Sequence, residues 1–251
     1  MCTPRGLADC DWRAHFRLRR WCPADILHVA RLQAGRERTT TNLNQGVVTY
    51  SRSGPVPDDP DPLAASGVDV DGIDISANAI EHIQAHPWGG AVNAGVADIS
   101  DFALDRKCRL IYCVSNSLFN VGQDSQIRCF ELVAEHLTPD GLFLIDSGYT
   151  PRWFETLRNS QYVEARHFEL NFASLQALRV DPIEQLVYQQ NIYLSKDRTV
   201  FSPCVHRYSS LGELDLMARI AGLQRRNLWG GRTRDPYGAD STRLVATYGP
   251  R

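Results

Sequence analysis

Residues Leu63 to Ser76 read LAASGVDVDGIDIS, and this stretch decides how the rest of the chain is read. Val68 to Ile75 (VDVDGIDI) reads as a strand. Ser76 follows directly as a helix N-cap, a position where a serine oxygen accepts from an amide of the first turn. Ala79, Ile80 and Ile83 then recur at helical spacing. A strand running straight into a helix is half of a βα unit.

Downstream the unit repeats. Ala91 to Ala97 reads as a second strand ending at Asp98, and Leu110 to Val114 (LIYCV) as a third. Gln126 to Leu137 carries Ile127, Phe130, Leu132, Val133 and Leu137 on an amphipathic helix. Pro139, Asp140 and Gly141 then turn the chain. Leu142 to Ile145 (LFLI) has no polar interruption and suits a fourth strand buried on both faces. Short apolar runs alternating with helix-length segments predict a parallel sheet.

Beyond Leu186 the texture is richer in β-formers. LVYQQNIYL and TVFSPCVHRY are separated by a turn at Ser195 to Arg198. Leu211 to Ala221 reads as a helix with Gly222 at its C-cap. Leu223 to Trp229 and Arg243 to Tyr248 read as a last pair of strands, and an antiparallel pair closing the sheet fits this order.

Upstream the pattern fails. Ser53 to Pro62 (SGPVPDDPDP) holds four prolines in ten residues, which bars helix interior and central strand alike. Residues 1 to about 60 show no sustained period, and Arg13 to Arg38 carry seven arginines against two acids. Two units are therefore expected: an irregular region over 1–60 and a folded domain over 61–251.

The bulk numbers set the outer bounds. Of 251 residues 43% are hydrophobic and 22% charged, a composition that supports a sizeable core. A net charge of −2 and a pI near 6.4 supply no pull toward nucleic acid or an anionic membrane, so a small-molecule substrate is expected. No apolar run approaches bilayer length and no secretory signal is evident, which predicts a cytoplasmic protein. None of the seven cysteines falls in a C-x-x-C pair, so neither a zinc site nor a disulfide framework is signalled. Cys108, Cys113 and Cys129 sit among apolar neighbours and read as small buried hydrophobes.

In an open α/β sheet, ligands sit outside the carboxyl ends of the strands, so the acids placed there matter most. Asp74 ends the first strand, where a carboxylate can accept two hydrogen bonds from a ribose diol. Its plainer reading is an acid stabilising the start of the helix behind it. Asp98 repeats the placement one unit later. Asn116 and Ser117 follow the third strand and face the same crevice, with turn chemistry as the plainer reading. Tyr149, His206 and Tyr208 are candidate substrate-side groups that packing would explain equally well.

Taken in order, LAASGVDVDGIDIS, VADISDF, LIYCVSNSLFNV and HLTPDGLFLID resemble the consecutive motifs of class I S-adenosylmethionine-dependent methyltransferases acting on small molecules. The resemblance continues through DPIEQLVYQQNIY, HRYSSLGELDLMARIAGL and DSTRLVAT, covering roughly residues 62 to 248. It implies a Rossmann-like α/β fold, mostly a parallel sheet with an antiparallel C-terminal strand pair, and S-adenosyl-L-methionine as cofactor. By position it implies that Asp74, with Ile75 beside it, holds the ribose hydroxyls, that Asp98 and Ile99 frame the adenine, and that Asn116 lines the methionine or substrate end.

One motif of that family is missing. A glycine-rich turn of the type E-x-G-x-G-x-G-R belongs before Leu63, because only glycines let the backbone approach the cofactor closely. This chain has TYSRSGPVPDDPDP there. If Tyr50 to Asp59 is encoded as TAC TCG AGG TCG GGA CCG GTC CCG GAC GAT, reading one base earlier gives L-E-V-G-T-G-P-G-R after a first leucine. Residues 1 to about 60 would then be partly an out-of-frame translation. Two other readings stay open: a methyltransferase-like binding or scaffold module that has lost the loop, and a nicotinamide-dependent dehydrogenase, whose G-x-G-x-x-G is equally absent.

Overall fold

The computed structural model describes residues 45–49, 68–85, 90, 92–156 and 161–251 of the chain. Strand β1 (Gln45–Thr49) lies between β2 (Asp69–Asp74) and β4 (Cys108–Cys113), parallel to both. Strand β3 (Val92–Val96) pairs with β2, and β5 (Leu137–Ser147) with β4, again in parallel. Two C-terminal strands complete the sheet, β10 (Leu223–Trp229) and β11 (Leu244–Pro250), with β11 antiparallel to β5 and β10 antiparallel to β11. The order is β10-β11-β5-β4-β1-β2-β3.

Both faces of this sheet are covered, and the residue-by-residue alternation of the strands sorts the core into two parts. Ile111, Cys113, Phe143, Ile145, Leu244, Ala246 and Tyr248 point to one face, with α2 (Gln123–His136) and α4 (Leu211–Ile220) over them. Tyr112, Leu144 and Val245 point to the other, together with Ile80 and Ile83 of α1 (Ala77–Ala85). On the larger side Phe130 of α2 meets Phe143 edge-on at 5.2 Å and Tyr248 at 5.6 Å. Such T-shaped pairs each contribute about 0.5–1.5 kcal/mol beyond the area they bury.

Local chemistry fixes the element ends. Helix α1 begins where Ser76 Oγ accepts from Ala79 N at 3.4 Å. Helix α4 starts in a full capping box, Ser210 accepting from Glu213 N while the Glu213 carboxylate accepts from Ser210 N. It stops before Gly222, whose φ of 76° suits glycine. The expected turn at Pro139, Asp140 and Gly141 lies inside β5 as a bulge. Leu137 pairs with Cys108 and Leu142 with Leu110, so four residues of β5 face one of β4. A Cβ on Gly141 would stand 2.9 Å from the Cys108 carbonyl oxygen, which is why glycine occupies that place.

A second, wholly antiparallel sheet has the order β6-β7-β8-β9. Its strands are β6 (Gln161–Glu169), β7 (Phe172–Asp181), β8 (Leu186–Ser195) and β9 (Thr199–Arg207). The β8 to β9 turn closes with Ser195 N donating to Arg198 O at 3.0 Å, at the turn expected from sequence. A short helix, α3 (Pro151–Thr156), links the two sheets in sequence. The fold is thus α/β with mixed pairing. "Mostly parallel" describes only the run β3-β2-β1-β4-β5, since the second sheet and the C-terminal pair are antiparallel.

The start of the sheet also differs from the sequence-based division. Gln45–Thr49 falls within the stretch expected to be irregular, yet its QGVVT backbone is paired on both edges. Two adjacent β-branched residues suit a strand that fills a gap between two others. The remainder of residues 1–60, including the proline-rich Ser53 to Pro62, lies outside the described residues. No helix among the described residues is long and apolar enough to cross a membrane.

Candidate active site

The strand order reverses at β1. Strand β2 continues on one side of it and β4 on the other, which opens a crevice beyond the carboxyl ends of these strands. Thr49 is level with both Ile73 and Cys113, and Asp74 with Val96, so these four strands end at one edge.

Asp74 lies on that edge, 3% exposed, with Oδ1 accepting from Ser76 N at 2.7 Å. It therefore performs its plainer role at the start of α1. Ile75, next in the chain, is 72% exposed. Asp98 stands just past β3, and Ala97 N donates to the Asp74 carbonyl at 3.1 Å, tying the two segments together. Asp98 Oδ1 accepts from Ser100 N and from Ser100 Oγ, both at 2.7 Å. Ile99 packs against the larger core cluster. The two acids are on neighbouring strands of one edge.

After β4 the backbone turns sharply. Ser115 (φ 56°) and Asn116 (φ 67°) are both left-handed, a conformation that costs about 1–3 kcal/mol per non-glycine residue and persists only under constraint. The constraint comes from the end of β5. Asn116 N donates to Asp146 O at 3.2 Å, and Asn116 Oδ1 accepts from Gly148 N at 2.8 Å. A 3-10 turn, Ser117–Asn120, follows, with Ser117 Oγ donating to the Val114 carbonyl. The Asn116 side-chain oxygen thus serves the turn itself, the plainer of its two expected roles.

Asp146 is the acid that sequence reasoning missed. It is buried near the end of β5, where Oδ2 accepts from Arg232 Nε and Nη2 at 3.2 and 3.1 Å and Oδ1 from Arg243 Nε at 2.6 Å. Both arginines come from the β10 to β11 connection, so this ion cluster fastens that loop over the same edge. The arginine-rich GGRTRDPYGADSTR was the available signal.

Tyr149, His206 and Tyr208, expected as candidates without a shared site, lie together. Tyr149 follows β5, with its ring 5.7 Å from His206, 6.4 Å from Tyr208, 4.8 Å from Trp153 and 5.6 Å from Phe119. Tyr149 Oη is hydrogen-bonded to His206 Nδ1, and His206 Nε2 lies 2.9 Å from Cys204 Sγ. Burial holds the His206 pKa down at about 4, so the ring is neutral at pH 7. Burial first, and the neighbouring Cys204 second, raise the Tyr149 hydroxyl.

A groove of about 260 Å³ lined by Leu104, Asp105, Arg106, Lys107, Glu135 and His136 lies at the opposite edge, near the start of β4. His136 there is committed to structure, its Nδ1 bonded to Leu132 O at 2.7 Å and its Nε2 accepting from Leu104 N at 3.0 Å. The strand ends, and not this groove, carry the convergent chemistry. Cys108, Cys113 and Cys129 are buried and joined in no disulfide, and burial raises both Cys108, to about 11, and Cys129. Among the described residues no three His, Cys, Asp or Glu side chains cluster as metal ligands.

The chain is similar in fold to solved methyltransferases. The CcbJ methyltransferase from Streptomyces caelestis superposes with a TM-score of 0.77 at 27% identity, over 91% of this chain and 94% of that one. An S-adenosylmethionine-dependent methyltransferase from Clostridium acetobutylicum matches at 0.74 and 13% identity, over 91% and 90%. CalS10 of Micromonospora echinaspora, an amino pentose methyltransferase solved with S-adenosylmethionine bound, matches at 0.67 and 14%, over 92% of each chain. No protein-family model and no curated protein matches the chain.

The fold is that of the class I S-adenosylmethionine-dependent methyltransferases. The 27% identity to a methyltransferase over nine-tenths of both chains extends the likeness from fold to enzyme class.

Proposed function

We propose that the chain transfers the methyl group of S-adenosylmethionine to an oxygen, nitrogen or carbon nucleophile of a small molecule, at the carboxyl edge of β1, β2, β3 and β4. The observation that carries the proposal is the presence of Asp74 and Asp98 on neighbouring strands at the switch-point edge.

The adenosine half of the cofactor suits these residues. Asp74 would accept from the ribose hydroxyls beside the exposed face of Ile75, Asp98 would take the adenine amino group with Ile99 behind it, and Asn116 would border the methionine end. The sulfonium supplies a methyl group that is already activated. The protein's share is alignment of the nucleophile and exclusion of water, which make a bimolecular step effectively unimolecular. The aromatic side chains of Tyr149, Trp153, Phe154 and Tyr208 are suited to shielding the acceptor side from solvent. No general base is required of them, and His206, held neutral near pKa 4, is poorly placed to be one.

The methionine half suits the literal sequence less well. The segment after Thr49 that would cradle it, Tyr50 to Pro62, contains Gly54 alone. We therefore retain the reading that residues 1 to about 60 are partly an out-of-frame translation. We also retain the second reading that this observation favours, a methyltransferase-like module that binds or scaffolds without turning over.

The two separate in one assay. The chain with Leu-Glu-Val-Gly-Thr-Gly-Pro-Gly-Arg in place of Tyr50 to Asp59 is incubated with S-adenosylmethionine and a panel of small amines, alcohols and phenols, and release of S-adenosylhomocysteine is followed. Release that depends on one acceptor class supports the enzyme. Cofactor binding without acceptor-dependent release across the panel supports the scaffold.

A further inference from the structure

Four side chains form one hydrogen-bonded line that leaves the turn after β5, passes through β9 of the second sheet and returns to the turn after β4. Tyr149 Oη meets His206 Nδ1, His206 Nε2 lies 2.9 Å from Cys204 Sγ, and Cys204 Sγ lies 3.7 Å from Asn120 Oδ1. Burial raises the tyrosine hydroxyl and the thiol and lowers the imidazolium, so the three titratable members are all neutral at pH 7.

Neutrality gives the line a direction. Asn120 Oδ1 can only accept, so the thiol donates to it. The sulfur then accepts from Nε2–H, and Nδ1 accepts from the tyrosine hydroxyl. Each donor has its acceptor, and the imidazole is held as the Nε2–H tautomer.

The line ends on the turn that contains the two left-handed residues. On its β5 side, Asn116 fastens that turn to Asp146 and Gly148. On its other side, Cys204 reaches Asn120, and the Phe119 ring packs on Tyr149 at 5.6 Å. A backbone held in two successive unfavourable conformations needs grips on more than one side. We propose that the Tyr149–His206–Cys204 line is a positioning device that holds the Ser115–Asn120 turn in its left-handed course and so sets where Asn116 stands. That Asn116 borders the cofactor rests on the function proposed above; that the line holds the turn does not. In this role they are positioning residues, acting through the turn.

Amide hydrogen exchange on the unliganded chain is the test, because it is independent of cofactor binding. The amides of Asn116, Ser117 and Phe119 donate to Asp146 O, Val114 O and Asn116 O, and protection is expected at all three. Tyr149→Phe keeps the ring and removes the donor, and Cys204→Ala removes the thiol. Each is expected to speed exchange at these three amides by about tenfold or more, with α4 and β11 amides changed by less than about twofold, as for a local opening. Cys204→Ser keeps a donor and should return the rates to within about threefold of the parent. Unchanged exchange at the three amides in both Tyr149→Phe and Cys204→Ala would overturn the proposal, as would equal acceleration throughout the chain or failure of Cys204→Ser to restore. S-adenosylhomocysteine titrated into the loop-restored chain reads the function separately. No binding there would count against the cofactor site and would leave the exchange result standing.

Discussion

Asp74 accepts from Ser76 N through one carboxylate oxygen, and the proposed function gives the same side chain a second role toward the ribose. The two roles separate by mutation. In the loop-restored chain, Asp74→Ala should weaken S-adenosylhomocysteine binding by about tenfold or more, since a hydrogen bond to a charged group contributes about 1.5–3 kcal/mol. An affinity within twofold of the parent would leave Asp74 a helix-start acid only. His206 makes a prediction of a different kind. Its folded pKa of about 4 lies below the unfolded value of roughly 6.5, so between those limits the unfolded chain takes up a proton that the folded chain refuses. Stability is therefore full above about pH 6.5 and declines as pH falls toward 4, by on the order of 3 kcal/mol from this residue. Urea unfolding at pH 7 and pH 4.5 should show a smaller pH-dependent loss in His206→Gln than in the parent, and equal losses would contradict the buried neutral state. Asp74 and Asp98 were legible in sequence because each stands at the end of a short apolar run. The Tyr149–His206 pair and the Asp146–Arg243 pair were not, because 57 and 97 residues separate the partners and only the fold brings them together.

Elements were legible where burial imposes one period. Strand β2, with Val70 to Asp74 all buried, and the capped helix α4 match the stretches read as strand and helix to within two residues. Strands β6 and β7 were not foreseen. Most of their residues are half-buried or exposed, so QYVEARHFE and FASLQALRVD carry no sustained apolar alternation. The short β1 was hidden similarly, a five-residue strand specified by its two neighbours and not by a pattern of its own. The α4 boundaries can be probed directly. Gly222→Ala places a side chain at φ 76° in open space, so its cost is conformational alone, about 1 kcal/mol. Ser210→Ala removes the N-cap acceptor and costs a similar amount, about 1 kcal/mol. Denaturant midpoints of the single and double variants should report both losses, roughly additive because the two ends share no partner. A Gly222→Ala variant as stable as the parent would mean that α4 does not end in a left-handed residue.

For the molecule as a whole, the order of the seven strands places the edge at which the proposed site lies. Reversal at β1 opens the crevice, Asp74 at the end of β2 and Asp98 just past β3 stand at its edge, and the Asp146 cluster with Arg232 and Arg243 holds the C-terminal loop over the same edge. The class of the protein was legible from the ordered motifs after Leu63. The cradle for the methionine half was not, because the residues that would form it, Tyr50 to Pro62, do not carry the glycines. Calorimetric titration of S-adenosylmethionine into two forms of the chain goes most directly to the proposed function. One form has the 251 residues as written, and the other has Leu-Glu-Val-Gly-Thr-Gly-Pro-Gly-Arg in place of Tyr50 to Asp59. Strong, saturable binding is expected only in the second, since the first lacks the glycines of the loop that the proposed site needs for the methionine half. Absence of binding by the restored chain would contradict a methyltransferase site at this edge.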